Sequence, residues 1–135
     1  MTDEFPPKKY KFIKDRFVNS RDGNSHFLDL YCAKCNAHLL LYQKDGIGSL
    51  MRLYLDRIFA PADKANWQFL DLSVKKPNLT CPNCAEIIGT AMIYEPENRP
   101  AIRLQKGAFG KKKSNGTYPP AAHRKTELKF WITSI

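Results

Sequence analysis

Cys32-Ala33-Lys34-Cys35 and Cys81-Pro82-Asn83-Cys84 decide how this chain folds, and they hold all four of its cysteines. Two Cys-x-x-Cys pairs supply four thiolates, the number a tetrahedral structural zinc needs, with none left over for an open catalytic position. Each pair belongs in a tight turn where cysteines three apart aim their sulfurs at one ion. Asn36 follows Cys35, and Asn tolerates the left-handed conformation such turns often require. Pro82 stiffens the second turn and lowers the entropy lost on ligation. Forty-five residues, 36–80, separate the pairs. That exceeds the roughly 15–20 residues of a compact ribbon, so a hairpin and a third strand fit inside the loop that the metal closes. Three other readings compete. Redox-active dithiols expect one pair in a βαβ context, which is missing here. Structural disulfides expect an oxidising compartment, and unligated core thiols leave the paired spacing unexplained. The expected cofactor is therefore one structural Zn2+ on Cys32, Cys35, Cys81 and Cys84. His38 lies close to the first pair, but with four sulfurs at hand it reads as a surface histidine or a neighbour of the ligands.

Working outward from the cysteines, short segments alternate apolar and polar residues between turn formers, the pattern of antiparallel strands. Residues 27–31 run as a strand into the first pair, and residues 38–42 form another. The glycine-rich turn 43–49 then leads to residues 50–59, where Met51, Leu53 and Leu55 alternate with Arg52, Tyr54 and Asp56. These last two segments read as a hairpin. Residues 67–74, 86–94 and 101–109 are further strand expectations, and 10–18 is a weak one. Residues 19–25 form a turn with Asp22-Gly23 at its tip. No segment shows a sustained helical period. The expected fold class is mainly β: a small antiparallel, β-rich zinc-binding domain with two sheets over a four-cysteine zinc. Its expected organisation is a flexible arm (1–9), a zinc-binding β domain (10–109), and a basic linker plus C-terminal strand (110–135).

At 135 residues the chain reads as one domain with a small core, to which a metal adds stability where burial is thin. Residues 1–7 lack the charged and apolar regions of a signal peptide. The longest mostly apolar run, residues 87–94, is far shorter than the ~20 residues of a membrane-spanning helix. An intracellular location, cytoplasmic or nuclear, with no membrane contact is the expectation.

The two cysteine pairs, Gly89 after Cys84 and the Gly46-x-x-x-Leu50 element resemble the Yippee-like and related β-tent or zinc-ribbon-like domains, a group that includes cereblon-type and methionine sulfoxide reductase B domains. The resemblance covers residues 27–109. It implies two β-sheets meeting at an angle over the zinc, each giving one cysteine pair. Reductases of this group need an additional catalytic cysteine, and this chain has none to spare.

The net charge is +9, and its placement is uneven. Residues 98–126 contain eight basic side chains and no acidic one: Arg99, Arg103, Lys106, Lys111, Lys112, Lys113, Arg124 and Lys125. Residues 1–21 carry six basic against three acidic, while 22–97 is slightly negative. Phe109, Tyr118, Phe130 and Trp131 interleave with or follow the C-terminal cations. Lysine and arginine neutralise phosphates while aromatic rings stack bases, so nucleic acid, RNA ahead of DNA, is the expected partner. An adaptor role toward an acidic protein stands beside it, and an unrecognised enzyme behind both. No nucleophile elbow, zinc-protease or P-loop motif occurs, and no catalytic residue is assigned. Asp56-Arg57, beside Tyr54, is the one place to look for a catalytic group, and it reads first as a structural ion pair or a strand-end turn.

Overall fold

The computed structural model describes residues 8–15, 25–46 and 48–120. The strands in chain order are β1 (Lys8–Lys9), β2 (Ser25–Cys32), β3 (His38–Asp45), β4 (Arg52–Tyr54), β5 (Ile58–Ala60), β6 (Asn78–Thr80), β7 (Ile87–Tyr94), β8 (Arg99–Leu104), β9 (Phe109–Ser114) and β10 (Thr117–Tyr118). A short helix, α1 (Ala62–Ala65), follows β5. The protein is thus mainly β. Among the described residues all strand pairs are antiparallel, in two four-stranded sheets and a two-stranded ribbon. The first sheet has the order β5-β3-β2-β9, the second β4-β8-β7-β6, and β1 pairs with β10.

The main core gathers residues from both sheets. Leu28, Leu30, Leu40 and Tyr42 contribute from the first, and Leu53, Leu79, Ile88, Ala91 and Ile102 from the second. Registers Leu30↔Leu40 and Leu28↔Tyr42 put these side chains on one face of β2 and β3. The opposite face is buried too. Phe27, Leu41 and Ala60 form a second cluster beneath Tyr10, Phe59 and Tyr118. Burial on both faces explains why residues 39–42 read as an unbroken apolar run. Residues 8–15 cross this second face. The Ile13 backbone N–H donates to Gln43 Oε1 at 2.7 Å, and Gln43 Nε2 donates back to the Ile13 carbonyl at 3.0 Å.

Several expectations are corrected. Residues 50–59 are not one strand. β4 joins the second sheet by pairing with β8, a 3-10 turn (Leu55–Arg57) follows, and β5 pairs with β3. The chain turns a corner between sheets there, so of residues 50–59 only β5 pairs with β3. Residues 67–74 form a 3-10 turn and loop, not a strand. Their alternation buries little, since Phe69 and Val74 are 77% and 81% exposed. Asp71 instead accepts hydrogen bonds from the Ser73 N–H and hydroxyl, closing a local turn. The expected linker after residue 109 is β9, a full member of the first sheet, paired with β2 from Phe27↔Ser114 to Cys32↔Phe109. Lys8 and Lys9, expected in a flexible arm, pair with Tyr118 and Thr117. Residues 1–7, the Asp22-Gly23 turn and the expected strand 127–135 lie outside the described residues. Among the described residues, no helix is long and apolar enough to cross a membrane.

Gly89, on β7, has the neighbouring strand β8 close against it. A Cβ there would stand 2.5 Å from the Arg103 carbonyl oxygen and 2.7 Å from Ile102 Cγ2. The nearest obstacle is backbone, so the strands must part to admit a methyl. Gly89→Ala is expected to cost about 1–3 kcal/mol, the range for overpacked cores. Equilibrium denaturation measures this, and an unchanged midpoint would refute the close approach.

Candidate functional site

The two cysteine turns are built alike. In the first, the Asn36 N–H donates to the Cys32 carbonyl at 2.8 Å, and the Cys32 N–H donates to the Ala37 carbonyl at 2.9 Å. In the second, the Ala85 N–H donates to the Cys81 carbonyl at 2.9 Å and the Cys81 N–H to the Glu86 carbonyl at 2.8 Å. Asn36 and Ala85, each following the second cysteine of its pair, both take positive φ, 66° and 65°. Asn36 adopts that conformation readily. Ala85 adopts it at a cost of roughly 1–2 kcal/mol. The first turn hangs from β2 in the first sheet, and the second lies between β6 and β7 in the second sheet. Each sheet therefore contributes one pair.

The four sulfurs meet. Cys32 Sγ is 3.6 Å from Cys84 Sγ, Cys35 Sγ is 3.5 Å from Cys81 Sγ, and all four lie within 4.8 Å of one another. Four sulfurs at about 2.3 Å from a central ion would stand about 3.8 Å apart, so the cluster has the size of a tetrahedral metal site. Cys32 and Cys81 are buried, while Cys35 and Cys84 are half-exposed. The Asn83 N–H points at Cys81 Sγ from 3.4 Å, the kind of contact that favours a thiolate. Hydrogen bonding from Asn83 and then from the Ala37 backbone lowers the Cys35 thiol to about 6. For Cys84 the Glu86 backbone bond works downward, but burial and hydrogen bonding with the other three thiols outweigh it and hold the thiol up at about 12. Four crowded sulfurs do not all ionise without a cation among them. The cluster can hold a metal ion, and with four sulfur donors it leaves no open coordination position.

His38 is not one of the four. Its Nε2 lies 2.8 Å from Asp29 Oδ1, with both side chains nearly buried, and its ring meets the Tyr31 ring edge-on.

The basic residues separate into different places. Arg99, expected on a contact surface, is 5% exposed. Its Nη2 donates to Asp56 Oδ1 at 3.0 Å, its Nη1 lies 3.4 Å from Glu97 Oε1, and its guanidinium stacks 3.8 Å over the Tyr54 ring. It is a structural group, and a charge count could not reveal its direction. Arg103 is exposed on β8, and Lys106 is exposed in the turn before β9. Lys111, Lys112 and Lys113 are exposed along β9, which forms one edge of the first sheet. Lys112 stands opposite Asp29, with its Nζ 5.2 Å from the Tyr31 ring. Arg124 and Lys125 lie outside the described residues. Lys9, Lys11 and Lys14 belong to the basic N-terminal stretch, but nothing in the sequence singles them out as contact residues. With Phe12 and His26 they line an open groove of about 720 Å³ that reaches Ser114 and Asn115 at the end of β9. Phe12 stacks on Phe27 there at 4.4 Å between ring centres, and Lys9 Nζ donates to the Asn115 carbonyl.

No protein-family model matches the chain, and no curated protein or solved structure matches it either. The geometry of the site therefore carries the functional argument.

Proposed function

We propose that this protein is a zinc-stabilised binding module that contacts nucleic acid, RNA in preference to DNA, through its basic terminal regions. Zinc is the metal of choice for a closed four-thiolate site, because it is borderline-soft and tetrahedral without redox chemistry. A common architecture with the β-tent zinc domains agrees with one cysteine pair per sheet. The observation that carries the nucleic-acid reading is the β1·β10 pairing. It brings the N-terminal lysines of the groove to Ser114 and Asn115, at the end of the edge strand that carries Lys111–Lys113, so two basic segments far apart in sequence become neighbours. Lysines so placed neutralise phosphates and release counterions. Phe12, 38% exposed above Phe27, offers a ring beside them.

Binding to mixed oligonucleotides is expected to weaken steeply with salt. Replacing Lys111, Lys112 and Lys113 by alanine should reduce the slope of log K against log salt by roughly 2 for single strands, at about 0.7 per phosphate contact. A salt-independent affinity, or none detectable, would defeat the reading. A nuclease-insensitive complex with an acidic protein would replace it with the adaptor role.

A further inference from the structure

The other face of the second sheet is covered at Tyr54, Ala101 and Arg99 and open at Arg103, with Arg52, Met92 and Tyr94 partly exposed. Register sets Arg52, Arg103 and Thr90 in one row across β4, β8 and β7, and Tyr54, Ala101 and Met92 in another. Tyr94 pairs with Arg99 in the same alternation. Leu53, Ile102 and Ala91 form the row between and point into the core. The Arg52 guanidinium lies 3.8 Å from the centre of the Tyr94 ring, which places both groups on the outer face. Asp56 and Glu97 close this face around Arg99. The other end stays accessible and continues into a groove of about 660 Å³, whose lining includes Met51, Met92, Tyr94 and Phe109. Arg52, Arg103 and Lys106 also line it, and no acidic residue does. Met51 is 61% exposed, a large apolar group left facing water.

One detail sets this surface apart from an ordinary solvated sheet. Arg52 stands directly opposite Arg103. Like charges in that relation are destabilising; Arg52 is offset only in part, by its hydrogen bond to the Tyr54 hydroxyl and the charge of Glu97. A bound polyanion would offset the repulsion. Apolar and aromatic groups interleaved with arginines fit bases as well as phosphates, because guanidinium planes and rings both stack bases.

We propose that the outer face of the β4-β8-β7-β6 sheet is a stacking platform for single-stranded nucleic acid. Bases lie on the Arg52–Tyr94 stack and against Met92 and Met51, and phosphates meet Arg103 and Lys106. The proposal rests on the nucleic-acid reading above and adds the surface that reads bases. In a duplex the base faces are already stacked, so single strands bind better.

The experiment uses the full, metal-loaded protein with a labelled oligouridylate, the same sequence as a duplex, and polyglutamate as a competitor. Tyr94→Ala is expected to weaken single-strand binding by roughly five- to hundredfold, the range for losing a stacked base, while Tyr94→Phe binds nearly as well as the parent. Arg103→Glu, at an exposed position, should weaken binding at least as much, with metal content unchanged and the melting temperature unchanged or raised, since it also removes the repulsion with Arg52. It keeps the test decisive if Tyr94→Ala folds poorly. If the parent binds the single strand and both variants bind equally well while the triple lysine variant does not, the platform is refuted and the reading through the basic termini stands. If the parent binds no oligonucleotide, that reading falls and takes the platform with it. Polyglutamate bound with the same sensitivity to Arg103→Glu would overturn the platform in favour of an acidic protein partner.

Discussion

Stripping the metal with a chelator, or replacing Cys32 by serine, is expected to unfold the domain. The cluster ties two sheets that otherwise share one small core, and Cys32 and Cys81 are themselves members of that core. Metal binding in small zinc domains contributes apparent free energies of about 10–16 kcal/mol. A domain's whole stability is about 5–15 kcal/mol, so loss of the ion outweighs the margin. The sign of the pH dependence follows from the thiols. Metal and protons compete for the same sulfurs. Cys84, raised to about 12, keeps its proton at neutral pH until a cation displaces it. Cys35, lowered to about 6, takes up its proton as pH falls through that value. Metal binding should therefore release protons at neutral pH, and affinity should drop more steeply below about pH 6. Far-ultraviolet circular dichroism and metal content, followed together during chelation and acid titration, measure this. A spectrum and melting temperature unchanged after complete metal removal would show that the sheets hold without the ion.

The cysteine spacing made the cluster legible from sequence, because two cysteines three apart leave a turn few choices. The segregation of one pair to each sheet comes from the resemblance to β-tent domains, not from the spacing. β3 and β7 were readable from their apolar runs. β9 was not, for a physical reason. An edge strand with exposed side chains needs no apolar residues, and lysine on an edge discourages pairing with another chain. Gly110 and Lys111–Lys113 thus carry the composition of a linker while holding the pairs Tyr31↔Gly110 to Leu28↔Lys113. Residues 50–59 misled in the opposite way. Their period of two is real, but the chain changes sheets at Leu55–Arg57, and periodicity within a segment does not say which sheet it joins. Arg99 and Arg103 lie four apart on one strand and look alike in sequence. Asp56 and Glu97 close over the first and not the second, a tertiary fact that no local pattern carries.

Arg57→Met is expected to be the most damaging substitution away from the cysteines. Arg57 sits at the corner where the chain passes from β4 to β5, 0% exposed. Its Nη1 and Nη2 donate to both carboxylate oxygens of Asp15, at 3.1 and 2.7 Å, and its Nε donates to Asp45 Oδ2 at 2.9 Å. One side chain thus fastens the crossing N-terminal segment and the end of β3 to the corner. Burial alone would favour loss of its proton, but the hydrogen bonds to Asp15 and Asp45 outweigh that and hold the guanidinium charged. Breaking a buried pair by removing one partner costs about 3–5 kcal/mol, because the other charge is left uncompensated. Here that cost concentrates on Asp45, whose side chain is 9% exposed. Asp15 and Asp56, at 38% and 41%, regain water and count for little. Arg57→Lys should recover only a fraction, since an ammonium cannot span both carboxylates in the fork geometry. Adding Asp45→Asn to Arg57→Met should restore part of the loss by removing the stranded charge. The asparagine can still accept from the Ser25 hydroxyl, which donates to Asp45 Oδ1 at 2.6 Å. Denaturant unfolding of the three variants distinguishes this from simple loss of packing. If the double variant is no more stable than Arg57→Met, the penalty comes from the missing side-chain volume, not from a buried carboxylate.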